Sequence, residues 1–131
     1  MLASALVISA VSCGRGGSGS GGASVQVTLK DFSIAVDPAS VNAGTVSFDI
    51  TNDGPSTHEL AIVRTDKAPD DLPVENGEIP EGEIDIVDEQ EDIAPSTSTT
   101  LSVDLSAGSY VLVCNLPGHY QQGMHAAFTV R

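Results

Sequence analysis

The sequence predicts an all-β chain, an antiparallel β-sandwich of about seven short strands, and three observations carry that expectation. From Ser24 onward apolar and polar residues alternate with a period near two. Turn-forming residues separate the alternating runs, and no segment keeps a long helical period.

The strands follow in order. Val25, Val27 and Leu29 alternate with Gln26, Thr28 and Lys30, and Val46, Phe48 and Ile50 alternate with Ser47, Asp49 and Thr51. Leu60 and Ile62 follow His58 on one face, and Leu101, Val103 and Leu105 alternate with Ser102 and Asp104. Tyr110-Val111-Leu112-Val113 leads into Cys114, and Ala127-Phe128-Thr129-Val130 closes the chain. Between them lie the turn signals Asp37-Pro38, Asn42-Ala43-Gly44, Asn52-Asp53-Gly54-Pro55 and Ala107-Gly108.

One stretch breaks the pattern. Arg64 to Asp92 holds 12 acids against 2 bases, with Pro69, Pro73 and Pro80 scattered through it. It is long for a connection inside a compact domain. It reads as a solvated surface loop with one short strand at Glu83 to Val87, the alternative being an acidic docking face.

The N-terminus divides from the rest. Residues 1–13 read as an export signal: Leu2 to Val11 is apolar or small, and is short of the ~20 apolar residues that span a bilayer. Ala10-Val11-Ser12-Cys13 resembles a bacterial lipobox, in which the cysteine would carry a lipid and anchor the chain to the cell membrane. Ala10 stands where a lipobox usually has Leu, and no Lys or Arg precedes the apolar run, so the alternative is an ordinary secretory signal giving a periplasmic or secreted protein. Residues 14–24 read as a Gly/Ser tether, and residues 25–131 as one domain carrying the acidic insertion at about 64–92.

The formal net charge is −13, from 18 acids and 5 bases. Nucleic-acid binding needs clustered Lys and Arg, which are missing here. The charge favours a monomer and a partner with a basic docking face. Cys13 and Cys114 would staple little if joined, so no disulfide is expected.

The chemistry concentrates in Cys114-Asn115-Leu116-Pro117-Gly118-His119-Tyr120-Gln121-Gln122-Gly123-Met124. Four residues separate Cys114 from His119, and four separate His119 from Met124. The segment starts at the end of an apolar strand and finishes before the last one, so it is a loop at one end of the sandwich. A thiolate, an imidazole and a thioether on one loop suit a copper site built from two His and a Cys with a weak axial Met. The missing ligand must be His58 or His125. His58 opens a strand straight after a turn and can sit at the same end; His125 alternates into the final strand and should point away. The ligand set is therefore His58, Cys114, His119 and Met124. A lone buried Cys, a core Met or a surface His is the ordinary reading of each residue taken singly, and the shared spacing argues against it.

The chain resembles the cupredoxins, and its loop resembles those of azurins, auracyanins and plastocyanin-like proteins. The shared features are Cys114, then Pro117-Gly118-His119, then Gly123-Met124, with His58 roughly fifty residues upstream after an Asn-containing turn. The likeness covers about Val25 to Arg131. It implies a Greek-key sandwich, one type 1 copper ion and outer-sphere electron transfer to redox partner proteins, without enzymatic catalysis. In many relatives an Asn follows the first His ligand; here it is Glu59, so a bond at that position would come from its backbone N–H, with Asn115 helping to pin the loop. The acidic insertion is also particular to this chain. His119 is the expected exit for the electron, within an apolar patch of Leu116, Pro117, Tyr120 and Ala126. The alternative function is a copper carrier or homeostasis protein on the same fold. Two Met and three His are few for the open sites carriers use. A copper oxidase domain would need further ligands, and a metal-free adhesive sandwich would leave the loop unexplained.

Overall fold

A computed structural model describes residues 22–131. The export signal, Cys13 and the tether as far as Gly21 lie outside the described residues. The described strands are β1 (Ala23–Lys30), β2 (Ser33–Asp37), β3 (Ser40–Val41), β4 (Gly44–Asn52), β5 (His58–Arg64), β6 (Asp85–Ile93), β7 (Thr97–Leu105), β8 (Gly108–Val113) and β9 (His125–Val130), with a 3-10 turn at Glu81–Glu83. The last two residues assigned to the tether, Ala23 and Ser24, already belong to β1.

The strands form two sheets, β2-β1-β4-β7 and β3-β9-β8-β5-β6. The sandwich is as expected, but its sheets are mixed: β1 runs parallel to β4, and β3 parallel to β9. The strand pattern explains the core. Val25, Val27 and Leu29 of β1 and Val46, Phe48 and Ile50 of β4 face Leu60 and Ile62 of β5, Tyr110 and Leu112 of β8 and Phe128 of β9. Phe48 and Phe128 meet edge to face at 5.3 Å. Burying each large apolar side chain contributes roughly 1.5–3 kcal/mol.

The two outer faces differ. On the β2-β1-β4-β7 sheet, Thr45 bonds Asp104, Ser47 bonds Ser102 and Thr51 bonds Ser98, all exposed. On the other sheet, Ala61 and Val63 of β5 and Val111 and Val113 of β8 are buried under Leu72 and Ile79, with Val74, Ile84 and Ile86 around them. The acidic stretch is therefore not a solvated loop. Its few apolar residues cover a sheet, and its carboxylates take the solvent side. Its strand is also longer than expected: β6 pairs with β5 from His58↔Ile93 to Arg64↔Asp85 and forms the sheet edge. An edge strand rich in charge resists pairing with other chains.

Candidate metal centre

The site stands at one pole of the sandwich because β5 begins there and β8 ends there. The two strands are antiparallel, with Ala61 opposite Val113, so His58 and Cys114 emerge side by side. A bulge between His58 and Leu60 interrupts the β5–β6 ladder and re-aims the start of β5. The turn before it is fixed by the buried Asn52. Its Nδ2 donates to Ser56 O at 2.9 Å and Ile93 O at 2.8 Å, while its Oδ1 accepts from Gly54 N at 2.8 Å.

The loop after β8 is closed by its own backbone. Met124 N donates to His119 O and Cys114 N to Met124 O, each at 3.2 Å, and His119 N donates to Leu116 O at 2.9 Å. Gly123 is required twice over: its φ is +123°, and a Cβ there would stand 3.1 Å from Phe32 O.

The side chains converge. His58 Nδ1 and His119 Nδ1 are 3.2 Å apart, and Cys114 Sγ lies 3.9 Å from the first and 3.5 Å from the second. Bonds of about 2.0 to 2.3 Å to a small metal ion place trigonal donors roughly 3.5 to 3.8 Å apart, so the triangle has the size of a metal site. Met124 is fully buried and belongs to the same core cluster as Cys114. His125 is outside the group, its ring tilted against Tyr120 at 5.3 Å.

The surroundings favour metal binding. Glu59 N donates to Cys114 Sγ at 3.4 Å, the backbone bond expected where a relative has Asn. The Glu59 carboxylate in turn accepts from Asn115 N at 2.9 Å. Burial pushes the Cys114 thiol up, while the Glu59 and Leu116 amides pull it the other way. A metal must therefore displace a proton that the free site holds firmly. Burial, followed by the neighbouring His58, holds His119 below the usual imidazole range, so its ring keeps a free lone pair at neutral pH. Among the described residues Cys114 has no disulfide partner.

Several contributors were not apparent in the sequence. Asp31 and Phe32, in the turn between β1 and β2, roof the site. Asp31 Oδ1 lies 2.7 Å from His58 Nε2, but off the hydrogen-bond direction, so that buried nitrogen has no hydrogen-bond partner among the described residues. Asp31 also accepts from Ser56 N at 3.2 Å. Phe32 meets the His119 ring edge to face at 5.1 Å. Tyr120 is a correction: it is buried rather than part of an exposed patch, and its hydroxyl donates to Pro69 O at 2.6 Å and accepts from Leu72 N at 3.0 Å. Leu116, Pro117 and Ala126 stay at least partly exposed.

Comparison with known proteins agrees with this fold. A reduced auracyanin from Roseiflexus castenholzii superposes with a TM-score of 0.60 at 20% identity, covering 85% of this chain and 99% of that one. Auracyanin A of Chloroflexus aurantiacus, described as a blue copper protein, gives 0.59 at 18% identity, covering 85% of this chain and 100% of that one. Rusticyanin from Thiobacillus ferrooxidans gives 0.58 at 23% identity, covering 85% and 79% respectively. At these identities the structures establish the fold. No curated protein matches. The sulfocyanin (SoxE) domain family matches residues 28–131, which is most of the chain and includes all four predicted ligands, and so the chain belongs to the sulfocyanin family of cupredoxins.

Proposed function

We propose that the protein is a one-electron carrier, in which His58 Nδ1, Cys114 Sγ and His119 Nδ1, with Met124 as the fourth ligand, would hold a single type 1 copper ion. The observation that carries this reading is the triangle of two imidazole nitrogens and one thiol sulfur, with sides of 3.2 to 3.9 Å, its His58 and Cys114 corners buried and its His119 corner partly so. Soft sulfur with imidazole suits copper in both oxidation states. Copper supplies the one-electron couple.

The protein's own residues supply the frame. His58 and Cys114 are fixed by paired strands, and His119 and Met124 by the self-bonded loop. Such a frame changes little between oxidation states, which is what fast electron exchange needs. The Glu59 amide aimed at Cys114 Sγ stabilises the thiolate. Met124, buried beside it, limits water access.

His119 is only partly buried, with Leu116, Pro117 and Phe32 near the same pole, so electrons leave through its edge during brief docking. The net charge of −13 favours a partner with a basic face. The site works outside the cytoplasm, on a chain exported by its first residues and anchored by a lipid on Cys13. The protein acts as a monomer and as a carrier, not an enzyme.

The test is the visible absorption of the full chain after Cu(II) addition. An intense blue band, bleached by ascorbate and lost in Cys114→Ser, is the expected result. Bound copper without that band would overturn the type 1 assignment and put the copper-carrier reading first. Leu116→Lys should keep the band and slow electron exchange with a partner; unchanged exchange would remove the docking patch.

A further inference from the structure

The acidic stretch does more than cover a sheet. We propose that its Ala68–Ile84 portion is a strap that holds the metal-binding loop in its ligating shape, acting through Asn115, Gly118 and Tyr120 as positioning residues. The proposal rests on the copper reading above.

Three separate attachments support it. Asn115 Oδ1 accepts from Ile79 N at 2.7 Å and its Nδ2 donates to Ile79 O at 3.0 Å, so one side chain satisfies both backbone groups of one strap residue. Gly118 N donates to Gly77 O at 2.8 Å. The Tyr120 hydroxyl bonds Pro69 O and Leu72 N. The loop residues that receive the strap are not scattered. Asn115 directly follows Cys114, and Gly118 and Tyr120 bracket His119.

The strap can transmit constraint because it is itself fixed. Leu72 and Ile79 are buried against the outer face of β5 and β8. Between them the chain turns back through Glu75 and Glu78, which exchange backbone bonds of 2.8 and 3.1 Å. Asn115 is 8% exposed, so its amide has few alternatives to Ile79 in this place. On the other side the loop is backed by Phe32, close to Gly123 and His119. The loop is thus gripped from two sides, and the strap supplies one of them without touching a donor atom.

The experiment compares the full chain with Tyr120→Phe and Ile79→Ala. The first removes one hydroxyl and keeps the ring; the second loosens the packing of the strap on β5 and β8 and leaves every ligand side chain and the backbone groups that Asn115 bonds in place. Backbone hydrogen exchange in the metal-free chain is read at Gln122 and Met124, whose amides bond within the loop and not to the strap. Their exchange should rise in both variants, about tenfold in Tyr120→Phe from the loss of hydroxyl bonding, while amides of β1 and β4, which the strap does not touch, keep their protection. With copper added, both variants should retain the metal but shift the ratio of the visible charge-transfer bands and the reduction potential. Unchanged exchange at Gln122 and Met124 would overturn the proposal. So would an equal acceleration in β1 and β4, which marks general loosening. Should Ile79→Ala fail to fold, Tyr120→Phe decides alone. A wild-type chain that takes no blue copper defeats the copper reading but leaves the exchange result standing.

Discussion

The two sheets bury similar inner faces and treat their outer faces in opposite ways. The β2-β1-β4-β7 sheet presents hydroxyls and carboxylates to water, paired across strands. The β3-β9-β8-β5-β6 sheet carries Ala61, Val63, Val111 and Val113 outward and covers them with a segment rich in acid. The covered sheet also supplies the strand ends that carry His58 and Cys114. Antiparallel sheets commonly leave one face wet. Here the wet face lies on the sheet without donors, and the two strands that carry His58 and Cys114, β5 and β8, are buried on both sides. Strands buried on both sides move less, so the extra cover serves the part of the molecule whose geometry matters most.

The largest difference should appear when each outer face loses side-chain atoms. Leu72→Ala removes buried apolar atoms from the cover and should cost about 3 kcal/mol. Ser102→Ala removes a surface hydroxyl and should stay within about 0.5 kcal/mol. Urea unfolding of both variants measures the contrast. Equal costs would mean that the strap is only loosely applied, and the distinction between the sheets would fail.

The two tyrosines sharpen the comparison at a smaller scale. Tyr120 OH bonds the buried Leu72 amide and Pro69 O. Tyr110 OH bonds Ser106 O at 2.6 Å and accepts from Arg64 Nη2 at 3.1 Å, two residues that water reaches. Removing the Tyr120 hydroxyl leaves a buried amide unpaired, at a cost of about 1–3 kcal/mol; removing that of Tyr110 should cost about 1 kcal/mol or less. Thermal unfolding of Tyr120→Phe and Tyr110→Phe gives the order, and a larger loss for Tyr110 would reverse the argument.

The inner faces were legible because a half-buried strand writes its burial with a period of two, as Val46-Ser47-Phe48-Asp49-Ile50 does. The donors were legible because only Cys, His and Met carry suitable lone pairs, and few of each are present. The cover was hidden, since Leu72, Val74 and Ile79 stand apart among acids and prolines, and the short alternation at Ile84 and Ile86 shows a strand without showing what it covers. Its partner was nonetheless visible: Tyr110-Val111-Leu112-Val113 is apolar throughout, which marks a strand buried on both faces. Asp31 and Phe32 left no trace, because Asp in a hairpin turn is ordinary and its contact with His58 depends on how the sheets close. Tyr120 beside a Pro-Gly-His turn suggested exposure, and only the strap's position explains its burial.

The smallest effect is the most diagnostic, because its sign differs between the sheets. Asp49, on the open sheet, is held below the usual carboxylate range by the Thr100 hydroxyl, then Ser24 and Gln26. A depressed carboxyl lends stability that is present above its unfolded value, about 3.9, and is lost as pH falls through the folded value. Asp49→Asn should therefore weaken the protein at neutral pH and matter less in acid. Glu89, on β6, is pushed up by burial and by Glu81, Glu91 and Asp88. A raised carboxyl does the reverse: the folded chain holds its proton more tightly, so stability is lost as pH rises through the folded value. Glu89→Gln should therefore strengthen the protein at neutral pH. Because the group is mostly exposed, screening keeps the gain below about 0.5 kcal/mol, and it should vanish below about pH 4. Urea midpoints of both variants at neutral and acid pH read the two signs directly. The same sign for both would mean that the carboxylates around β6 repel one another no more than those of the open sheet, and that the crowding of acid on the covered side has no cost to offset.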